Sequence, residues 1–396
     1  MTGRAAIRLY WAVLALGTLA VLAVLASAGR WPLATDGNVV ITDFATVWAA
    51  GVRALAGQAA LAYDHAVHEA FYASLIDRPA ADGLTFGYPP TAFLLFAPFG
   101  ALPYGAALPL YLVIGIGLWF AALRSIVRDW PTALAMAVAW GGASQTILLG
   151  QNGFLTAAAL AAGLLLLPRR PVLAGVLFGL LAIKPHLGLA LAPFLLLRRD
   201  WAAIAAAIAT LGATILLTLA LWGPGLWADY LVAGREVAAM VAGRTDTIVG
   251  GKMQSVLAIA VRHVPLEWAL ALHALFALGA LALMALVVRR KPPFAAQAAA
   301  AIAATALVTP YSFLYDCTML TAAAAFLLTL PQPQSDRAML LFAMALPGMW
   351  FFTAVPLVPF AGLIVLLLCL RQAASRPRGS GLTRPGTSRT EASAAA

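Results

Sequence analysis

The apolar stretch Leu266–Val288, LEWALALHALFALGALALMALVV, decides the fold class of this chain. A helix needs roughly 20 apolar residues to cross the hydrocarbon core of a bilayer, and this stretch is long enough. Leu9–Ala28 and Phe294–Val308 match or approach that length. Backbone groups in lipid must be hydrogen-bonded within their own segment, so these stretches predict helices. We therefore predict an all-α polytopic membrane protein.

The composition supports this prediction. Of the 396 residues, 63% are hydrophobic and 10% are charged, whereas a soluble domain carries roughly 25% charged residues. The net charge of +10 could indicate a nucleic-acid partner. However, Lys and Arg cluster in short loops between apolar stretches, as the positive-inside rule expects. We therefore predict membrane lipids rather than nucleic acid as the partner of these charges. Cys317 and Cys369 both lie in apolar segments, so the sequence indicates neither a disulfide framework nor a metal site.

The placement of basic residues also predicts the topology. Arg4 and Arg8 precede the first span and place the N-terminus in the cytoplasm. The apolar segment Thr91–Leu102 is short; if it crossed the membrane, Arg124 and Arg128 would lie outside. If it only enters the membrane and returns, every later basic cluster lies inside. On this second reading the chain makes about twelve crossings, with both termini in the cytoplasm of a bacterial-type cell (inner) membrane.

One transmembrane domain is predicted over residues 1–374. Its first extracytoplasmic loop, residues 29–90, contains two amphipathic segments with the helical spacing of interfacial helices, Phe44–Leu55 and His65–Ile76. Residues 223–254 are predicted to form a second outer loop. The tail 375–396 is rich in Ser, Arg, Pro, Gly and Ala, so it is predicted to be disordered.

Two charged residues are the leading functional candidates. Asp43 lies where the first outer loop meets the membrane, although it could simply cap the helix that begins at Phe44. Lys184 follows a helix of about a dozen residues, roughly 18 Å long, in a hydrocarbon core of about 30 Å. Its charge should therefore lie below the lipid surface and face a hydrated cavity or an anion. Alternatively, Lys184 extends to the surface and caps its helix.

Other polar residues in the predicted outer turns are candidates for substrate binding. They are Tyr88, Gln151, Asn152, His186, Arg235, Arg244, Lys252, Tyr315 and Asp316. Gln151, Asn152, His186 and Asp316 are equally explained as turn or cap residues, and the basic residues of the second loop as contacts of lipid headgroups. His68, in the second amphipathic segment, is predicted to be solvated. Metal-binding and Gly-rich nucleotide motifs are missing from the sequence, so no cofactor is predicted.

The order of these motifs resembles glycosyltransferase family 87, of the integral-membrane GT-C class. The motifs are Asp43-Phe44, Tyr88-Pro89-Pro90, Gly150-Gln151-Asn152, Gly175…Gly179…Lys184-Pro185 followed by Arg198-Arg199, and Thr309-Pro310-Tyr311…Tyr315-Asp316. The family includes mannosyltransferases that use polyprenol-phosphate mannose. The resemblance implies a GT-C-type helix bundle, with Asp43 as general base and Lys184 near the phosphate of the donor. Where some of these mannosyltransferases carry a His pair, this chain has Tyr315-Asp316.

The function implied is transfer of a hexose, mannose in the first place, from a polyprenyl-phosphate donor to a lipid or glycan acceptor on the extracytoplasmic side. A single base and a single displacement imply inversion at the anomeric carbon. The main alternative is a transporter or flippase of lipid-linked sugars or polyprenyl phosphates, which also needs a basic pocket in the membrane. A purely structural subunit is a further alternative, but it would not require an acid and a buried lysine on one face.

Overall fold

The computed structural model describes residues 3–37, 39–76, 85–243 and 252–374. Within these residues the regular structure is helical, and extended backbone pairs only at isolated β-bridges. The α-helices are α1 Gly3–Ser27, α2 Phe44–Leu55, α3 His65–Ile76, α4 Phe93–Gly100, α5 Tyr104–Val127, α6 Trp130–Ala137, α7 Gly142–Leu149, α8 Gly153–Leu166, α9 Pro171–Leu180, α10 Gly188–Arg198, α11 Trp201–Trp222, α12 Gly225–Gly243, α13 Val256–Ala260, α14 Leu266–Arg289, α15 Phe294–Val308, α16 Thr318–Leu328, α17 Gln334–Thr353 and α18 Val358–Ala374.

Four of these helices, α1, α5, α11 and α14, are long and apolar enough to cross a membrane. A fifth span results if α6 and α7, which meet at an angle of 57°, cross together. The apolar stretch Thr132–Leu149 by itself predicts a single segment there. The bend follows from Gly141, whose φ of +111° lies in a region that glycine adopts at little cost. The remaining crossings of the predicted twelve correspond mostly to shorter apolar helices, so that number stays a prediction.

The first loop contains the two predicted helices with the predicted bounds, as α2 and α3. However, α2 is not an exposed interfacial helix, because all but two of its residues are buried. It packs against α4 at backbone distance: a Cβ atom on Gly51 would lie 2.3 Å from the carbonyl oxygen of Phe96. This close crossing fixes the position of α2, which Asp43 precedes.

The prediction of a solvated His68 is also wrong. The residue is buried, and its Nε2 lies 2.9 Å from the carbonyl oxygen of Thr46 in α2. Its ring also contacts Tyr72 edge-on, one helical turn later. His68 therefore belongs to the contact between α2 and α3. In the sequence, His68 and Tyr72 are one helical turn apart and so lie on the same face of the helix, and this spacing is the signal that indicates burial.

Short helices surround the middle of the bundle. Every residue of α15 from Ala296 to Val308 is buried, and most of them are alanine, which lets neighbouring helices approach closely.

Two short 3₁₀ turns, Leu181–Ile183 and Pro185–Leu187, separate α9 from α10. Lys184 lies between these turns.

The second predicted outer loop, residues 223–254, is not an irregular loop throughout. Helix α12 occupies Gly225–Gly243, although the segment has few of the long apolar runs that mark the other helices. The chain returns to the bundle at Met253, which forms a β-bridge with Phe313. This bridge brings the end of the second loop against the turn before α16.

Candidate active site

Asp43 is the first residue of the candidate site. It precedes α2, but its side chain makes no capping hydrogen bond to that helix. The backbone N–H of Phe44 instead donates to the hydroxyl of Thr42, at 3.3 Å. The carboxylate of Asp43 accepts a hydrogen bond from Nε2 of Gln151, at 3.0 Å. The interpretation of Asp43 as a simple helix cap is therefore wrong, and its carboxylate faces another helix pair.

Gln151 connects Asp43 to the aromatic turn of the first loop. Its Oε1 accepts a hydrogen bond from the hydroxyl of Tyr88, at 2.9 Å. The residue follows Gly150, which has a φ of +64° and packs so closely that a Cβ atom there would lie 2.6 Å from Cβ of Phe44. The glycine thus lets the turn between α7 and α8 approach the start of α2. The amide fixes one oxygen of the Asp43 carboxylate and leaves other lone pairs open.

Burial alters the acidity of Asp43, which lies outside the membrane-spanning helices. Burial raises the pKa of its carboxyl above the ordinary value, because removal from water penalises the charged form. The positive charge of Lys252 and the hydrogen bond from Gln151 oppose this shift. A carboxylate with a raised pKa accepts a proton more readily than an exposed one, as a general base must.

Lys184 is buried, with 5% of its surface exposed. Its Nζ forms an ion pair with Asp316, which is 3% exposed, and lies 4.5 Å from the centre of the Tyr315 ring. The sequence indicated that the charge of Lys184 should face a hydrated cavity or an anion. In the structure it faces an anion, the carboxylate of Asp316. The alternative in which Lys184 extends to the surface is wrong, because the ammonium is held inside the bundle.

Asp316 serves two roles at once. One oxygen pairs with Lys184, and the other accepts the backbone N–H of Phe313 at 3.1 Å. The cap interpretation of Asp316 is thus correct but incomplete. The ring of Tyr315 stacks on that of Phe313 at 5.5 Å. Gly153 meets this turn so closely that a Cβ atom on it would lie 2.4 Å from the Tyr315 carbonyl oxygen.

Asn152 and His186 complete the part of the site that the sequence predicted. Asn152 is 1% exposed and lies beside Tyr88, but neither of its amide atoms makes a hydrogen bond of normal geometry. Nε2 of His186 is likewise buried without a partner. His186 lies within electrostatic range of both Lys184 and Asp316. Neither residue is explained as a helix cap by its contacts.

The basic residues of the second loop separate into three cases. Lys252 acts electrostatically on Asp43 and so lies near the site. Arg235 is exposed on α12. Arg244 lies outside the described residues. Sequence reasoning missed Gln254, two residues after Lys252, which is completely buried; no local motif marks it.

An apolar groove of about 640 Å³ is lined by residues that lie close to Tyr88 and Lys184 in the chain. Thr91, Ala182 and Ile183 line it at the end near Tyr88 and Lys184, and the hydroxyl of Thr91 donates to the carbonyl oxygen of Ala182 at 3.3 Å. Its other end is lined by Ser125, Leu165 and Leu166, at the far ends of α5 and α8. The groove therefore runs along the membrane-embedded helices, and its volume is in the range of roughly 300–1,000 Å³ that holds an organic ligand.

In the described part of the chain, three or more His, Cys, Asp or Glu side chains do not gather into a group that could hold a metal ion. The polar residues that do gather are an acid, an amide-linked tyrosine and a buried lysine–aspartate pair, next to an apolar groove. This combination suits binding and proton transfer for a substrate with both a polar and an apolar part.

The comparison with protein families gives one match. The sequence model of glycosyltransferase family 87 matches residues 86–310, more than half of the chain. The matched range contains Tyr88, Gln151, Asn152, Lys184 and Lys252, whereas Asp43, Tyr315 and Asp316 lie outside it. Neither a curated protein nor a solved structure matches the chain.

Proposed function

The chain belongs to glycosyltransferase family 87 and is a membrane glycosyltransferase, and from this premise we propose that it transfers a hexose from a polyprenyl-phosphate donor. The proposed sugar is mannose, and the acceptor is a lipid or a glycan. The catalytic domain takes the GT-C-type arrangement. Transfer occurs on the extracytoplasmic side, with Asp43 as general base.

The observation that carries this proposal is the state of the Asp43 carboxylate. It is not used to cap α2, and Gln151 holds it in place through one hydrogen bond. An acid kept in position by a neighbouring helix pair, rather than by its own helix, is suited to accept a proton from a substrate. The hydroxyl of Tyr88 donates to the same glutamine and so adds a second polar group near the carboxylate.

The chemistry needs few protein groups, because the donor carries its own leaving group. The acceptor hydroxyl loses its proton to Asp43 as its oxygen forms a bond to the anomeric carbon. The bond between that carbon and the phosphate oxygen breaks, and its electron pair leaves with the phosphate. One displacement of this kind inverts the anomeric carbon. Lys184 stabilises the negative charge that develops on the phosphate, and in a poorly hydrated site this stabilisation is strong.

The apolar groove supports a lipid-linked donor. It begins at Thr91 and Ile183, next to Tyr88 and Lys184, and continues along α5 and α8. An isoprenoid chain bound there would place its phosphate beside the buried lysine. The binding energy of the chain would position the reacting sugar, as remote contacts of a substrate commonly do.

The test is transfer of radiolabelled sugar by the purified protein in vesicles, from a panel of polyprenyl-phosphate hexoses. We expect the wild-type protein to transfer one of them, and Asp43→Asn to bind the same donor without transferring it. Movement of intact donor across the vesicle membrane, unchanged in Asp43→Asn and without transfer by the wild type, would instead establish the flippase alternative.

The side of the membrane is tested separately by cysteine labelling. In a background without Cys317 and Cys369, a cysteine replaces either Gln58 or Arg170, both of which are exposed. We expect an impermeant thiol reagent added outside intact cells to label position 58 and not position 170. Labelling of position 170 from outside would contradict the proposed topology.

A further inference from the structure

Gln254 is buried where the second loop returns to the bundle. None of its surface is exposed, and its backbone N–H donates to the carbonyl oxygen of Ser312 at 2.7 Å. The adjacent residue Met253 forms a β-bridge with Phe313. The backbone therefore fixes this residue, and its side chain is free for another purpose.

In the described ranges of the chain, the amide group of Gln254 has no hydrogen-bond partner at either its oxygen or its nitrogen. Most buried polar side chains in proteins are hydrogen-bonded, because an unpaired one bears the full cost of leaving water. Among the residues that the structure describes, Asn152 is the other buried amide whose oxygen and nitrogen both lack a normal hydrogen bond. A cost of this kind is offset if a ligand supplies the missing hydrogen bonds.

Both amides flank the candidate active site, on different segments of the chain. Asn152 follows Gln151, the partner of Asp43, and precedes Gly153, which contacts the backbone of Tyr315. Gln254 lies two residues after Lys252, which acts electrostatically on Asp43. Its backbone partner Ser312 begins the turn that carries Tyr315 and Asp316.

The chemistry of an amide fits one part of the proposed substrate. The site already provides Lys184 for a phosphate and Asp43 for the acceptor hydroxyl, but neither group is assigned to the transferred sugar. An amide both donates and accepts hydrogen bonds, and so does a sugar hydroxyl. Resting on the proposed function, we propose that Gln254 and Asn152 bind hydroxyl groups of the transferred hexose and thereby select the sugar.

The test uses a substitution that removes the polar atoms and keeps the volume. Gln254→Met should leave the melting temperature of the purified protein unchanged or raise it, because the amide makes no bond that would be lost. A matched control is Gln297→Met. Gln297 is also buried, but Arg198 donates to its oxygen at 2.6 Å and its nitrogen donates to the Pro292 carbonyl oxygen at 2.9 Å. This control should lower the melting temperature.

The binding measurement compares bare polyprenyl phosphate with polyprenyl-phosphate hexoses. In the wild type and in Gln297→Met, the preferred hexose should raise affinity over the bare lipid. In Gln254→Met we expect this gain to fall by about tenfold, the typical effect of removing one partner of a buried hydrogen bond. Affinity for the bare lipid should be the same in all three proteins.

Three outcomes would overturn the inference. In the first, the preferred hexose still raises affinity over the bare lipid in Gln254→Met, while the wild type transfers hexose. The proposed function would then remain intact, and only this inference would be wrong. The second is a fall in melting temperature in Gln254→Met as large as in Gln297→Met, or loss of folded protein, which would assign the amide a structural role. The third is a wild type that binds and transfers no polyprenyl-phosphate hexose, which removes the proposed function and this inference together.

Discussion

The two ends of the helix bundle use their polar residues in different ways. Helix α5 separates them: Tyr104 at its start contacts Thr42, beside Asp43, at 3.1 Å, and Asp129 follows its last turn. We call these the site end and the arginine end. The arginine end carries the ion pairs Arg8–Asp129, Arg198–Asp200 and Arg371–Asp336.

At the arginine end, the charged side chains of these pairs lie near helix termini; Asp336 is buried, and the other members of the three pairs are partly exposed. Asp129, for example, accepts the N–H of Thr132 at 3.2 Å and so caps α6. At the site end, Lys184 and Asp316 form a pair inside the protein, and the amides of Asn152 and Gln254 make no hydrogen bond of normal geometry within the described part of the chain. Folding and topology account for the first group of residues. Neither accounts for the two amides, which we propose to bind the substrate.

The largest expected effect contrasts one substitution at the two ends. Asn is as good a helix cap as Asp, so Asp129→Asn should preserve turnover. Asp43→Asn should reduce turnover by about 10²–10⁴-fold, the usual contribution of a general base. The melting temperature of Asp43→Asn should not fall, because the raised pKa of the Asp43 carboxyl means that its partly buried charge opposes folding at neutral pH.

These two variants are compared in the radiolabelled transfer assay, with donor binding measured alongside. Near-wild-type turnover in Asp43→Asn would remove Asp43 as the base and make Asp316 the next acid to test. An equal loss of turnover in Asp129→Asn would remove the distinction between the two ends.

Much of the fold follows from the sequence because helical periodicity is local. The bounds of α2, α3 and α15 were predicted as observed, since each is a regular apolar pattern between turn residues. Helix α12 was missed because its sequence is too polar for that criterion. Lys252, at the end of that segment, was among the predicted substrate-binding residues, and the structure places it within electrostatic range of Asp43.

The candidate site was predictable only in part, because its partners are distant in the chain. The short helices beside Lys184 indicated a buried charge, which the structure confirms. Its partner Asp316 lies 132 residues away, and Gln151 lies 108 residues from Asp43. No local pattern specifies such pairs, so the sequence yielded the individual residues without the contacts that give each one its role.

The second prediction concerns the buried pair. Lys184→Ala leaves Asp316 charged without a counter-ion, and breaking a buried pair in this way costs about 3–5 kcal/mol of stability. Lys184→Arg should keep the charge and part of the donor affinity. The double variant Lys184→Met/Asp316→Asn should recover the melting temperature, because Asn still accepts the N–H of Phe313, but it should not recover donor binding.

This double variant distinguishes a functional pair from a structural one, by thermal unfolding and by binding of polyprenyl phosphate. Donor affinity that returns together with stability would show that Lys184 only completes the fold. In that case the buried pair would no longer support the distinction between the two ends.

The third prediction uses pH to identify the base. Because burial raises the pKa of Asp43, kcat/KM should begin to fall on acidification above the ordinary carboxyl value of about 3.9. Lys252→Ala removes a positive charge that lowers this pKa, so the acid limb should move to higher pH. An acid limb at the same pH in Lys252→Ala would show that another group controls the profile.

The smallest effect is expected at the arginine end, for Arg8→Ala. Arg8 and Asp129 are both partly exposed, with 54% and 31% of their side chains accessible, so water and salt screen the pair. Asp129 also retains the Thr132 N–H when Arg8 is removed, so α6 keeps its cap. The melting temperature should change little, and less at high salt than at low salt, while turnover stays at the wild-type level. The measurement is thermal unfolding at two salt concentrations together with the transfer assay. A marked loss of turnover with an unchanged melting temperature would mean that the arginine end takes part in function, and the distinction between the two ends would then be wrong.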